Sequence, residues 1–249
     1  MRVSGRDGVV TIVLDRPHKR NALSRDMQVE LCRLLAEADQ DGAVRAVILT
    51  GADPAFCAGN DFTDAAQFAD RYGKRFWHHP ARALWAMGKP VICAVNGACV
   101  GGGLEIALSA SFVVASERAT FADTHARLDV VPTWGLTALL PQAVGVRRAR
   151  EMSLTGRSVS AAEAERIGLV NHVVPHERLL PFAGELAGQV PRTGAVRDVL
   201  RLYDRGPGAA AAAASEWEQA VALERPFDPA GFAAAGRDEA RRRAGGESE

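Results

Sequence analysis

The sequence predicts an α/β fold, and three observations carry that prediction. The first fifty residues run strand, helix, strand, an order that joins parallel strands through a right-handed crossover. An apolar strand at 91–95 then passes through a glycine cluster into a helix at 104–109. The order strand, strand, helix also returns along the chain, without a tandem repeat of fixed period.

The 249 residues, 47% hydrophobic and 24% charged, suffice for one large core with a smaller appendage. Thirty Lys and Arg cancel thirty Asp and Glu, so no net field draws the chain to nucleic acid or a membrane surface. An anionic ligand has to be met locally. The start, MRVSGRDGVV, has no apolar signal core, and no stretch reaches the eighteen or so uncharged residues of a membrane span. Cys32, Cys57, Cys93 and Cys99 lie in or beside apolar runs without C-x-x-C spacing, which reads as buried thiols in a reducing compartment. A cytoplasmic protein without a metal site is expected.

Each element has a local cause. Residues 9–14, VVTIVL, form a β-branched run between Gly8 and Asp15 and read as a strand. RPHKRNAL at 16–23 is a loop carrying four basic side chains. From Ser24, a candidate N-cap, Met27, Leu31, Leu34, Leu35 and Ala38 recur at helical spacing until Gly42. Residues 46–50 form a short buried strand. GADPAFCAGNDF at 51–62 sets glycines, a proline and aspartates around a small apolar kernel, and helical sequence follows to about Trp85. Loops at strand ends are where α/β proteins place chemistry. After the 91–95 strand, Asn96-Gly97 makes a turn, and 112–115 and 119–121 are short strands. Beyond Pro132 the pattern becomes helical at 136–140, 147–154 and 161–166, with a Ser160/Glu163 capping box and Gly168 as a stop. Residues 169–174 are a last strand. Helices and connectors follow from His176, including an alanine run at 209–214 leading to Trp217, and the tail RRRAGGESE is expected to fray.

The stretch VICAVNGACVGGGLEIALSAS, 91–111, concentrates the chemistry. Glycines at 101–103 admit backbone conformations closed to other residues and let a ligand approach the amides. A helix starting there presents N–H groups without internal partners at the positive end of its dipole. Glu105, in the first turn, places a carboxylate beside that anion hole, an arrangement suited to moving a proton next to a carbonyl. Other glycine-loop chemistries fit poorly. N-G-A-C-V-G-G-G is out of register with G-x-G-x-x-G and lies far into the chain, and Gly88-Lys89 is followed by Pro90 instead of Ser or Thr. Neither G-x-S-x-G nor H-E-x-x-H occurs. His78-His79 and His172/His176 read as solvated or capping histidines, since Pro175 keeps the second pair off a shared helix face.

AFCAGNDF and NGACVGGGLEIALSASFVVAS resemble the paired signatures of the crotonase, or enoyl-CoA hydratase/isomerase, superfamily. DRPHKRNAL, ATFADTHARLDVVPTWGL and AAEAERIGLVNHVV match further motifs of that family, in order and spacing over about residues 8–190. The resemblance implies a crotonase-type (ClpP/crotonase) spiral of repeated strand-strand-helix units. Residues 1–190 would form the core with its CoA and oxyanion sites, and 191–249 a helical C-terminal region that packs trimers. An acyl-CoA thioester is the implied partner, with no cofactor beyond the coenzyme A of the substrate, and the implied assembly is a homotrimer or a hexamer of two trimers.

Family members hold the thioester oxygen between two backbone N–H groups, which fall here on Asn60 and Gly102. Many relatives have alanine at position 60; the main-chain donor is spared by the difference, while the carboxamide alters the acyl pocket. A thioester enolate carries negative charge on oxygen, so preorganised donors stabilise the transition state more than the ground state. Losing one such donor costs about 10²–10³ in rate. Glu105 falls on the first catalytic glutamate of the hydratases, a general base and later acid. The second falls on His125, in F-A-D-T-H-A-R, and this is a departure. Histidine titrates near neutrality and relays protons, so hydration stays open while the two-carboxylate mechanism does not transfer. Isomerisation needs one base alone, and Glu105 can supply it.

The same resemblance places Lys19 and Arg20, with His18, in the loop that contacts CoA, and Ala22 and Leu23 along the same site. Ala58 and Gly101 flank the two donors. Asp61 and Phe62 follow the first donor, although Asp61 equally suits a helix cap. Trp134 either walls the acyl pocket or packs in the core. The expected function is that of an enoyl-CoA hydratase or isomerase acting through an enolate-like thioester. Hydrolysis, dehalogenation, decarboxylation and carbon–carbon cleavage are alternatives within the family, and a catalytically poor acyl-CoA binder is one outside enzymes.

Overall fold

Two sheets share the strands. A computed structural model describes residues 1–61, 63, 79–204 and 228–245. The larger sheet runs β1 (Arg2–Arg6), β2 (Val9–Leu14), β3 (Ala46–Gly51), β5 (Val91–Val95), β7 (Phe112–Ser116), β10 (His172–Val174). The smaller runs β4 (Ala55–Cys57), β6 (Ala98–Val100), β8 (Thr120–Ala122), β9 (Val159–Ser160). Pairing is parallel except for β1 with β2 and β8 with β9. The pairs β3/β4, β5/β6 and β7/β8 each give one strand to either sheet before a helix follows: α2 (Pro80–Trp85), α3 (Gly102–Leu108) and α4 (Leu136–Val144). This is the expected spiral of strand-strand-helix units.

Sequence explains the layers. Helix α1 (Arg25–Gln40) begins where the Ser24 hydroxyl accepts the Met27 N–H at 3.3 Å, and Met27, Leu31, Leu34, Leu35 and Ala38 are all buried. Each leucine so buried contributes about 1.5–3 kcal/mol. The parallel strands are covered on both faces, which is why they read as continuous apolar runs. On one face of the larger sheet, Ile48, Ile92 and Val114 pack against Leu179, Ala183 and Ala187 of α7 (Leu179–Gln189). Its other face joins the main core with Phe56, Leu104 and Phe121.

Several expectations are corrected. β1, β4, β6 and β9 were not foreseen: β1 is an exposed edge rich in Arg, Ser and Gly, and the other three are two or three residues long. The last strand is shorter than 169–174, because Gly168, at φ +82°, ends α6 (Ala161–Arg166) and the chain reaches the sheet only at His172. Ser160 accepts the Glu163 N–H at 3.3 Å, but Glu163 pairs with Arg157, so the box is half-formed. The tail is helical through residue 245 in α9 (Pro229–Gly245), where buried Glu239 accepts from Arg243 at 2.9 Å and Arg127 at 3.3 Å. Helices α5 (Val146–Thr155) and α8 (Gly194–Asp204) are the remaining α-helices among the described residues. Phe62, His78, Trp217, the alanine run and most of the helix expected before Trp85 lie outside the described residues.

All four cysteines are free thiols; burial pushes Cys57 up to about 12 and Cys32 to about 11. Among the described residues, no helix is long and apolar enough to cross a membrane.

Candidate active site

Two backbone turns meet at one small cavity. Its lining includes Ala58, Asn60, Gly101, Gly102, His125 and Phe232. Residues 58–61 are held by the basic loop: Leu23 N–H donates to Gly59 O at 2.8 Å and Asp61 N–H to Leu23 O at 3.0 Å. In such a parallel bridge the residue between the two bonds directs its own N–H the opposite way, so the Asn60 N–H faces away from Leu23. The second turn is fixed by Gly101, whose φ of +53° with ψ of −116° lies outside the left-handed helical region and favours glycine, and whose N–H donates to Ala122 O. Gly102 then opens α3, where N–H groups lack helical acceptors. A methyl on Gly59 would lie 3.0 Å from Val100 O and 3.5 Å from Gly102 N, so glycine is what lets the turns meet.

Glu105 is buried, 1% exposed, which excludes a solvated helix glutamate. Its Oε1 accepts the Trp134 backbone N–H at 2.7 Å, and its Oε2 lies 3.6 Å from His125 Nε2. The ring is oriented from behind: His125 Nδ1 lies 2.6 Å from Asp123 Oδ1, which also accepts the His125 backbone N–H at 3.1 Å. Burial works to raise the Asp123 carboxyl, but hydrogen bonding and charge from His125, with Ser153, hold it below the usual carboxylate range. The ionised carboxylate only accepts, so Nδ1 carries hydrogen and Nε2 faces Glu105. A carboxyl group and an imidazole thus face each other, with the imidazole on the cavity that Asn60 and Gly102 also line.

Other residues expected at the site divide. Ala22 and Leu23 are buried, and Leu23 with the Arg20 carbonyl, which accepts the Ala58 N–H at 3.1 Å, holds the 58–61 turn; Lys19 is half-buried, and His18 and Arg20 are exposed. Asp61 does not line this cavity. It is buried, one oxygen 2.9 Å from Arg16 and the other accepting from the Thr63 N–H and hydroxyl, so it closes the turn. Trp134 is buried as core packing requires, and its ring would lie 3.3 Å from a methyl on Gly102.

Several contributors escaped sequence reading. Asp123 was signalled by its spacing two before His125, the reach of an Asx turn. Gln28 donates to Asn60 Oδ1 at 3.2 Å, and Asn21 donates to Ala52 O and Ala55 O, anchoring the basic loop. Phe232 of α9 packs on Leu128 over the cavity, a tertiary contact that no local pattern marks.

Two other features lead elsewhere. Ser116 Oγ lies 3.0 Å from His176 Nδ1, and His176 Nε2 3.3 Å from Asp53 Oδ2, the order of a nucleophile triad. Ser116 is fully buried, however, and accepts the Arg118 N–H, so the set pins a loop. A larger apolar groove of about 630 Å³ between Trp85, Phe112 and Tyr203 contains none of the site residues above. Among the described residues no three His, Cys, Asp or Glu side chains cluster as metal ligands.

Comparison with known proteins finds the chain's family and relatives. Residues 4–205 match the family described as enoyl-CoA hydratase/isomerase. The chain is 44% identical to a crystal structure of enoyl-CoA hydratase from Mycobacterium tuberculosis H37Rv, with TM-score 0.78 over 90% of this chain and 95% of that one. It is 38% identical over 180 residues to a probable peroxisomal enoyl-CoA hydratase 1 of Arabidopsis thaliana, covering 72% of this chain and 68% of the relative. It is 36% identical over 189 residues to 1,2-epoxyphenylacetyl-CoA isomerase of Escherichia coli, covering 72% and 71%.

Proposed function

Because the chain belongs to the enoyl-CoA hydratase/isomerase family, we propose that it hydrates an enoyl-CoA thioester, with Glu105 and His125 as its proton carriers. The observation that carries this reading is the 3.6 Å approach of Glu105 Oε2 to His125 Nε2. That gap is too long for a direct hydrogen bond, but a water about 2.8 Å from each closes a triangle on it. Glu105 takes a proton from this water, and the resulting hydroxide equivalent bonds to C3 of the enoyl group. The C2=C3 electron pair moves to form the enolate, whose oxygen is met by the N–H groups of Asn60 and Gly102. Protonated His125 delivers its proton to C2, and proton exchange between Glu105 and His125 resets the site.

The basic loop, through Lys19 and Arg20, supplies local positive charge for the CoA phosphates, which the neutral chain does not provide globally. The chemistry asks for no cofactor beyond the substrate's own coenzyme A. Exposed Val199, Leu202 and Tyr203 on α8 support a homotrimer or a hexamer, and the free buried thiols support a cytoplasmic location. Sedimentation analysis tests the first.

Isomerisation is the second reading, favoured by the tethering of Glu105 Oε1 at Trp134, which assigns the taking and return of a single proton to Oε2. Crotonyl-CoA and longer 2- and 3-enoyl-CoA esters, followed separately for water addition and double-bond shift, decide between them. Hydration that falls strongly in His125→Ala supports the main reading. Double-bond shift that survives His125→Ala, without hydration, supports the second.

A further inference from the structure

We propose that His79 is a positioning residue for Glu105, acting through the single peptide group that joins Thr133 to Trp134. Three contacts carry this. His79 Nε2 lies 3.1 Å from the Thr133 carbonyl oxygen, and the Trp134 N–H donates to Glu105 Oε1 at 2.7 Å. That C=O and that N–H belong to one planar unit, so fixing the oxygen fixes where the hydrogen points. His79 Nδ1 in turn accepts the Arg82 N–H at 3.2 Å as the cap of α2.

These partners define the proton position. A carbonyl only accepts and an amide only donates, so the ring is neutral with hydrogen on Nε2. Burial keeps it neutral, pushing His79 down to about 4, with the Arg82 charge acting the same way. The ring is 5% exposed and packs against Trp134 at 5.3 Å between centroids, with Trp85 at 6.1 Å. A hydrogen bond to the carbonyl polarises the peptide and strengthens donation from its N–H, by roughly 10–30% per link in such chains. His79 therefore steadies the Glu105 carboxylate and turns its second oxygen toward His125, an ionisable group that faces Glu105 and that Asp123 backs. His79 itself touches neither Glu105 nor the cavity.

The inference rests on the reading of Glu105 as the acid/base, and its test separates the two. The Trp134 amide proton resonance is measured in wild type, His79→Leu and His79→Gln, together with kcat, KM and pH profiles on crotonyl-CoA. Glutamine retains a donor; leucine does not. In His79→Leu the Trp134 amide is expected to move upfield and kcat to fall about 10-fold with KM within about 2-fold, the loss of one charge-linked hydrogen bond. The acid limb of kcat/KM is expected to move to higher pH, because the carboxylate has lost support. His79→Gln is expected to restore the amide position and most of kcat. A Trp134 amide unmoved in His79→Leu overturns the proposal. If that variant does not fold, the wild-type ring nitrogens decide: the Nε2–H tautomer supports it and the Nδ1–H tautomer contradicts it. An amide that responds as expected in a protein that turns over no enoyl thioester supports the clamp while defeating the functional reading.

Discussion

Asp123 Oδ1 accepts both the ring Nδ1–H of His125, at 2.6 Å, and the backbone N–H of the same residue, at 3.1 Å. One carboxylate oxygen therefore sets the ring's tautomer and its direction. Asp123→Asn replaces an acceptor by a group that can also donate, and the ring loses its fixed hydrogen. We expect kcat for hydration to fall about 10²-fold or more with little change in KM, within the range general acid–base groups contribute. A KM increase at unchanged kcat would mean that Asp123 shapes binding only.

The main-chain donors make a contrasting expectation at position 60. Asn60→Ala leaves the backbone and its ladder with Leu23 in place, so turnover of crotonyl-CoA is expected to stay within about 10-fold, well short of the loss of a donor. The Asn60 carboxamide is held by Gln28, so the substitution is expected to change preference among acyl groups more than rate. Competition between short and long enoyl-CoA esters measures this.

Helical glycines separate by the space around them. A methyl on Gly103 would stand 2.3 Å from the Cys57 carbonyl oxygen, in the packing between α3 and β4. Gly103→Ala is expected to lower unfolding stability by about 3 kcal/mol, as overpacking does. In α7 a methyl on Gly188 meets nothing within 4 Å, and Gly188→Ala is expected to stabilise by about 0.5 kcal/mol through helix propensity. Denaturant unfolding of both variants checks the pair.

His79 gives stability a pH dependence of known sign. Its ordinary value of 6.5 falls to about 4 in the fold, through burial first. Between those values the unfolded chain binds a proton that the folded protein excludes, so stability rises with pH across that window. Acidification from pH 7 to 4 therefore removes roughly 3 kcal/mol through this group. His79→Gln has no such proton to bind, and its stability is expected to be flatter over pH 4–6.5. Equal slopes in the two proteins would contradict the assignment.

Much of this was legible in the sequence because it rests on local rules. Ser24 with the apolar stripe of α1, the β-branched runs of β2, β3 and β5, and the glycines before Glu105 each state their conformation within a few residues. The two-residue strand β9 and the edge strand β1 do not, since pairing partners rather than propensity create them. The same distinction holds at the site. Glu105 and His125 stand in recognisable motifs, but the Arg16–Asp61 pair joins residues 45 apart, and α9 reaches the cavity through Phe232. Between the two roles open to Asp61 in the sequence, its oxygens favour the capping one: they are taken by Arg16 and Thr63, while its neighbour Asn60 lines the cavity.

Turnover by Glu105→Gln tests the central claim most directly. Glutamine keeps the size of the side chain and an acceptor for the Trp134 N–H, and removes only the ability to take a proton. With crotonyl-CoA as substrate, the variant is expected to lose at least about 10³-fold in kcat for hydration and for any double-bond shift, while binding the thioester within a few-fold of wild type. A Glu105→Gln protein that turns over crotonyl-CoA within about 3-fold of wild type would contradict the account.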